Sequence, residues 1–105
     1  MAKKEFGGNL EFVNFDLDSD ELSVAKRIVG KYAEKIRNFT AYDTIKLEMK
    51  SHLKAKNKHF EVKGHVLWSG DEALSEAEGT NPFVLIDEVM EKILHEIEHK
   101  IGKKE

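Results

Sequence analysis

The sequence contains no cysteine, and proline occurs only once in its 105 residues. Without cysteine the chain can form neither a disulfide framework nor a metal site with thiolate ligands. No apolar run approaches the roughly 18 residues of a membrane-spanning helix, and residues 1–9 lack the apolar centre of a signal peptide. We therefore expect a cytoplasmic protein without a membrane partner, and we interpret residues 1–9 as a flexible N-terminus.

Charge is unevenly distributed along the chain, although the formal net charge is only −3. Between Lys50 and Lys63 there are five lysines and one acid, whereas the segment 71–91 contains seven acids and no base. The distribution of charge therefore says more about partners than the total does. Length predicts a single α+β domain over residues 10–102, followed by a basic tail at residues 103–105.

Hydrophobic periodicity predicts six secondary-structure elements. In chain order they are a strand over residues 10–17, a helix from Asp18 or Ser19 to about residue 38, two alternating strands joined through residues 53–58, a short strand over 73–78, and a helix capped by Thr80 or Asn81 that ends at Gly102. The first strand is predicted to present Val13, Phe15 and Leu17 on one face. Asn57 is predicted to form the hairpin turn, and Phe39 to end the apolar stripe of the first helix.

The resulting order is β-α-β-β-β-α. Each predicted strand has one apolar side and each predicted helix has one apolar stripe. We therefore predict a four-stranded sheet with both helices packed on the same face and the other face in water. The α-β-β-β-α portion is shared with double-stranded-RNA-binding domains.

His95, Glu96 and His99 spell H-E-x-x-H, the pattern of zinc proteases. At 100° per residue the two histidines lie nearly opposite the apolar residues Ile93 and Ile97, so the pair is predicted to face solvent. A catalytic zinc site also needs a third ligand and a cleft that excludes water. We interpret the motif as coincidental, with adventitious binding of a divalent metal as the alternative. We predict no catalytic residue and no cofactor.

The lysine- and histidine-rich hairpin is the clearest functional signal. If its strands pair in register, one sheet face carries Lys46, Lys50 and His52 together with His59, Lys63 and His65, while Lys54, Lys56 and Lys58 crowd the turn. Clustered lysines are typical of a surface that binds the phosphate backbone of nucleic acid. The alternative is a solvated face whose charges discourage edge pairing. With only Arg27 and Arg37 available, bidentate base readout is expected to be minor.

Residues 59–101 resemble the second half of the ribosome hibernation factors, the ribosome-associated inhibitor family. Phe60-Glu61-Val62 and Ser75-Glu76-Ala77-Glu78 resemble the two alternating strand motifs of that family. The run from Asn81 to Asp87 resembles the step into its last helix. The first predicted helix is similar in length, position and lysine-aromatic ending, so the resemblance covers roughly residues 10–101.

The resemblance implies a non-enzymatic protein that sits on the small ribosomal subunit, occupies the messenger and transfer RNA channel, and represses translation in idle cells. Ribosomal RNA is the implied partner, with no small-molecule substrate. Carried over by position, the candidate RNA-binding residues are Lys31, Lys35, Lys46, Lys50, His52, Lys54, Lys56, Lys58, Lys63, His65, Lys92, Lys100 and Lys103. We expect these side chains to converge, once the chain is folded, into one continuous basic surface. The alternative is a protein-interaction or assembly domain that uses the acidic segment 71–91 and has no RNA partner.

Overall fold

The computed structural model describes residues 9–101, which form six elements in the predicted order. These are β1 (Asn9–Val13), α1 (Ser19–Arg37), β2 (Thr44–Lys54), β3 (Asn57–Trp68), β4 (Asp71–Gly79) and α2 (Pro82–Ile101). The strands form one sheet in the order β1-β2-β3-β4, with β1 parallel to β2 and the other pairs antiparallel. The predicted α+β class and element order are confirmed.

Predictions about the chain ends fall mostly outside the described residues. The proposed flexible segment lies outside them except for Asn9, which begins β1 and pairs with Thr44. Gly102 and the proposed basic tail, which includes Lys103, also lie outside them. No helix within residues 9–101 is both long enough and apolar enough to cross a membrane.

One hydrophobic core lies between the sheet and the two helices. Alternate residues of β2 and β3 face it, together with the apolar stripes of α1 and α2. Its largest fully buried side chains are Tyr42, Ile36, Ile45, Leu47, Met49, Ile86, Met90, Ile93, Ile97, Val29, Val62 and Val66. Both helices therefore cover the same face of the sheet, as predicted, and the opposite face is open to solvent.

The two helices begin at side-chain caps because their first backbone N–H groups have no partner within the helix. At α1 the Asp18 carboxylate accepts from the N–H of Glu21 at 2.8 Å, and the Glu21 carboxylate accepts from the N–H of Asp18 at 3.1 Å. This reciprocal pair is a capping box. At α2 the Asn81 Oδ1 accepts from the N–H of Phe83 at 3.0 Å, and Pro82 occupies the first helical position.

Three local predictions are wrong. The β1 strand stops at Val13 because Asn14 adopts a positive φ of 57°. Within this shorter strand Leu10 and Phe12 pack against the core. Val13 lies on the open face, opposite Glu48. Phe15 and Leu17 contact the core from the following loop. The other two errors concern Phe39, which lies past the end of α1 and is 43% exposed, and the hairpin turn.

The β2–β3 turn consists of Ala55 and Lys56, not Asn57. Both residues have positive φ, 51° and 77° respectively, and Asn57 already pairs with Lys54 as the first residue of β3. Two consecutive positive φ values match the right-handed twist of a two-residue hairpin. The local preference of asparagine for turns is therefore overridden by the register of the long strands. Ser69 and Gly70 form the corresponding β3–β4 turn.

Candidate nucleic-acid interface

The pairing register of β2 and β3 places the predicted sheet residues on the open face. Lys46 is directly opposite His65, His52 is opposite His59, and Lys63 is opposite Glu48. Side chains alternate between the two faces of a strand, so Lys50 shares this face with Lys46 and His52. The predicted common face of the lysine and histidine series is therefore confirmed.

The open face is not purely basic. Lys50 lies opposite Glu61, and Lys63 lies between Glu48 on β2 and Glu76 on β4. Even so, Lys46, Lys50 and Lys63 are exposed and form no salt bridge with another residue in the 9–101 range. Cross-strand glutamates lower the local positive potential, but they leave these ammonium groups accessible to a polyanion.

The end of the β2–β3 hairpin projects beyond the rest of the sheet. Within the described chain, β1 reaches β2 only as far as Glu48, and β4 reaches β3 only as far as Phe60. Between His52 and His59 the ends of β2 and β3 therefore pair only with each other. We call this segment the hairpin arm. It contains three lysines and two histidines and no acid: His52, Lys54, Lys56, Lys58 and His59.

The two histidines of the hairpin arm face each other across its strands. Their ring centroids are 5.7 Å apart, with the ring planes inclined by 39°. His52 is exposed and His59 is half-buried. Beside the lysines of the turn, these rings provide flat surfaces and N–H groups that suit contacts with bases and phosphates. The hairpin arm is therefore the most uniformly basic part of the sheet.

Asp16 holds the base of the hairpin arm. Its carboxylate accepts a hydrogen bond from Ser51 Oγ at 3.1 Å and forms a salt bridge with Lys58 Nζ, also at 3.1 Å. The hydrogen bond from Lys58, and secondly that from Ser51, lower the pKa of the Asp16 carboxyl. Sequence reasoning missed Asp16 because it lies 35 residues from Ser51. Only folding of the β1–α1 loop brings it there.

The helical lysines lie on the other side of the domain. Lys31 and Lys35 are exposed on α1, and Lys92 is exposed on α2. Lys35 Nζ lies 5.2 Å from the centroid of the Tyr32 ring, and Lys92 Nζ lies 3.5 Å from a Glu88 carboxylate oxygen. Because both helices cover the buried face of the sheet, these lysines do not join the open face. The predicted residues thus lie on two surfaces, and the expectation that they converge into one continuous basic surface is wrong.

Lys100 differs from the other predicted residues because its ammonium group is already surrounded by oxygen atoms. It lies 2.8 Å from the backbone oxygen of Glu72, 3.3 Å from Asp71 Oδ1 and 3.6 Å from Glu96 Oε2. Its Nζ also lies 6.0 Å from the centroid of the Trp68 ring. The hydrogen bond to Asp71 raises the pKa of the Lys100 ammonium group. This lysine fastens the end of α2 to the β3–β4 turn.

A shallow depression of about 450 Å³ lies on the open face where β2, β3 and β4 run side by side. It is lined by charged side chains of both signs, with Lys46, Lys63 and His65 near Glu48 and Glu76, and by Leu74. At its margin His65 Nε2 lies 2.8 Å from Glu72 Oε1. Because its charges alternate, the depression does not form a single anion-binding site.

The H-E-x-x-H residues are placed as predicted. His95 and His99 are exposed, whereas Ile93, Leu94 and Ile97 on the other side of α2 are buried. Within residues 9–101 no three histidine, aspartate or glutamate side chains are grouped in a way that would hold a metal ion. The two histidines therefore belong to the outer surface of the domain.

The acidic segment 71–91 is divided between two surfaces. Glu76 and Glu78 lie on the open face of β4, opposite Lys63 and Glu61. By contrast, Asp87 belongs to α2 and accepts a 2.8 Å hydrogen bond from Tyr32 Oη on α1. The seven acids that are adjacent in sequence therefore do not form one continuous acidic patch.

The fold is shared with solved structures of two bacterial proteins. A ribosomal subunit interface protein from Coxiella burnetii is similar with a TM-score of 0.63 and 12% identity, over 91% of this chain and 98% of that one. The N-terminal domain of Thermus thermophilus Protein Y gives a TM-score of 0.55 and 11% identity, over 88% and 94%.

At identities this low the similarity establishes the fold, and the resemblance predicted from the sequence is confirmed at that level. No protein-family profile and no curated protein sequence matches the chain.

Proposed function

We propose that this chain is a non-enzymatic RNA-binding module that occupies the messenger and transfer RNA channel of the small ribosomal subunit and represses translation in idle cells. The observation that carries the proposal is a basic hairpin arm on a fold shared with a ribosomal subunit interface protein. The ribosomal target makes the cytoplasm the place of action.

The proposal is supported by exposed lysines on two sides of a thin domain. The described fold measures 48 × 31 × 19 Å, with Lys46 and Lys50 on one broad face and Lys31 and Lys35 on the other. A protein bound on a flat surface uses one face, whereas a protein held in a channel is contacted from both. Exposed lysines on both broad faces therefore favour binding within a channel lined by RNA.

Local charge also explains how a chain with a formal net charge of −3 binds a polyanion. The hairpin arm extends its three lysines away from the glutamates of β4, which begin to pair with β3 only beyond Phe60. At physiological ionic strength charges more than about 8 Å apart are largely screened. A phosphate near the end of the arm therefore experiences mainly Lys54 and Lys56, since Lys58 is paired with Asp16 at 3.1 Å.

Sedimentation with isolated small subunits tests this proposal directly. We expect the protein to co-sediment with empty subunits and to be displaced when messenger and transfer RNA are bound first. If it contacts six to eight phosphates, log affinity should fall against log salt with a slope of roughly −4 to −7. A flat salt dependence, or equal binding to filled subunits, would contradict the proposal.

Paired substitutions test the use of both faces. Lys46→Ala with Lys50→Ala removes two lysines from the open face, and Lys31→Ala with Lys35→Ala removes two from α1. Each pair should make the salt slope less steep by about 1–2. An effect from only one pair would show that the protein binds on one side, and the channel would then be the wrong site.

The alternative of an acidic interaction surface is not favoured, because folding separates Glu76 and Glu78 from Asp87. Neutralising Glu76 and Glu78 together should leave subunit binding intact or strengthen it. Loss of binding in that double variant would favour a basic protein partner instead.

A further inference from the structure

Leu53 occupies an unusual position in the hairpin arm. It continues the series Ile45, Leu47 and Met49, which are all completely buried, yet it is itself 74% exposed. The exposure arises because β2 extends past the end of the core, so that Leu53 pairs only with Lys58. A single exposed leucine is ordinary on a protein surface. The surroundings of Leu53 distinguish it from such a residue.

Those surroundings are basic. Lys54 follows Leu53 directly, Lys56 lies in the turn, and Lys58 is its cross-strand partner. The turn itself adopts positive φ at Ala55 and Lys56 without a glycine. Two consecutive positive φ values are typical of a two-residue hairpin. The arm thus presents an exposed leucine, two lysines that form no salt bridge with residues 9–101, and a third, Lys58, that is paired with Asp16.

We propose that Leu53 is an apolar anchor that packs against the nucleobases or riboses of RNA while Lys54 and Lys56 bind the flanking phosphates. The inference rests on the proposed RNA-binding function and identifies the part of the domain that enters the RNA. Alternation along β2 directs Leu53 to one side of the arm and Lys54 to the other. An arm inserted between RNA segments therefore meets nucleotides on both sides.

Charge favours RNA over a protein as the partner of Leu53. The hairpin arm contains no acid, and RNA combines broad apolar base faces with a regularly spaced negative backbone. Apolar side chains, leucine among them, are known to wedge against base steps in nucleic-acid complexes. The two histidine rings of the arm, His52 and His59, add further flat surfaces for contact with bases.

Two exposed aliphatic residues provide a matched test. Leu53 is 74% exposed beside lysines, whereas Val84 is 57% exposed in the first turn of α2, away from the open face of the sheet. We expect Leu53→Ala to weaken binding to small ribosomal subunits about tenfold, or about 1.4 kcal/mol, with an unchanged salt slope. Leu53→Met should retain affinity within about twofold. Val84→Ala should bind like the unaltered protein.

Substituting the neighbouring cations should have a different signature. Lys54→Ala with Lys56→Ala should make the salt slope less steep by about 1–2, because phosphate contacts are lost. Circular dichroism and thermal unfolding of each variant serve as the folding control. Because Leu53 contributes little to the core, its substitution should leave both measurements unchanged.

Each failure has a separate meaning. Absence of salt-dependent binding by the unaltered protein would refute the proposed function itself. Normal binding of Leu53→Ala, alongside salt-dependent binding of the unaltered protein, would refute only the anchor. Equal losses in Leu53→Ala and Val84→Ala would also refute it. If Leu53→Ala binds protein-free small-subunit RNA normally but intact subunits weakly, the anchor contacts a ribosomal protein and the RNA assignment is wrong.

Discussion

Lys50 and Glu61 lie directly opposite each other on the open face of the sheet, at the point where the hairpin arm begins. Glu61 also faces Glu78 across the β3–β4 pairing. This arrangement places the boundary between the basic arm and the acidic edge of the sheet at Glu61. The negative charge of Glu61 therefore lowers the positive potential at Lys50 and, in the proposed function, would oppose the approach of RNA.

Neutralising Glu61 should strengthen RNA binding. We expect Glu61→Gln to raise affinity for small ribosomal subunits about two- to threefold at low salt, because one repulsive charge is removed from the interface. Glu61→Asp keeps the charge and serves as the control. Measured by co-sedimentation over a range of salt, a loss of affinity in Glu61→Gln would place the RNA elsewhere.

Acid should weaken the attachment of α2 to the β3–β4 turn. The backbone N–H of Glu72, and secondly Lys100, lower the pKa of the Asp71 carboxyl. A lowered folded pKa gives stability that is present above the unfolded value of about 3.9 and is lost as pH falls through the folded pKa. Asp71→Asn should therefore be less stable than the unaltered protein near neutral pH.

The difference in the free energy of unfolding between Asp71→Asn and the unaltered protein should become smaller in strong acid. It can be measured by urea unfolding of the two proteins at pH 7 and at successive pH values below 4. Lys100 gives the complementary signal at the opposite end of the pH range, because its raised pKa contributes stability that is lost only as pH rises above about 10. A constant difference across the acid range would show that Asp71 does not stabilise the fold through its charge.

The close approach of α2 to β3 depends on glycine at position 64. A Cβ atom there would lie 2.6 Å from Val89 Cγ1 and 3.0 Å from Ile93 Cδ1. Gly64→Ala should therefore lower the free energy of unfolding by about 1–3 kcal/mol, because the packed helix must shift. Gly30→Ala is the matched control, since nothing lies within 4 Å of its added Cβ. Because Gly30 lies in the middle of α1, Gly30→Ala should raise the free energy of unfolding by about 0.5–1 kcal/mol.

The hydroxyl group of Tyr42 is buried, and within residues 9–101 it has no hydrogen-bond partner. Burial also raises the pKa of Tyr42. An unpartnered buried hydroxyl costs about 1–3 kcal/mol. The free energy of unfolding of Tyr42→Phe should therefore equal that of the unaltered protein or exceed it by up to about 1 kcal/mol.

Tyr32→Phe is the contrasting variant, because Tyr32 Oη donates a 2.8 Å hydrogen bond to Asp87 between the two helices. The free energy of unfolding of Tyr32→Phe should be lower by about 1 kcal/mol, because this hydrogen bond is lost. Urea unfolding of the two variants should therefore give changes of opposite sign. Destabilisation by Tyr42→Phe would show that its hydroxyl group has a partner in solution.

Much of the architecture was predictable because it depends on local periodicity. The alternation in β2 and β3 and the apolar stripes of α1 and α2 predicted which side of each element is buried. The helix caps at Asp18 and Asn81 could also be predicted, since a helix start needs a side-chain acceptor close in sequence. The errors at Val13, Phe39 and Asn57 all concern element ends, where a few competing local contacts decide the boundary.

The candidate site was only partly predictable. The shared face of Lys46, Lys50 and His52 follows from the two-residue repeat of a strand, whatever the rest of the fold. By contrast, two salt bridges join residues that are far apart in the chain: Lys100 with Asp71, and Lys58 with Asp16. Charge patterning along the sequence cannot distinguish such an engaged lysine from an accessible one.

The sequence by itself determined the elements, their buried sides and the hairpin that carries the lysines, because these follow from residue spacing and side-chain chemistry within a few turns or strand pairs. Only the tertiary structure decided that the lysines form two opposite surfaces, that Leu53 lies bare at the end of an arm, and that the acidic segment is divided. Those outcomes depend on how far each strand extends past its neighbours and on which face the helices cover. Both are set by packing between distant parts of the chain.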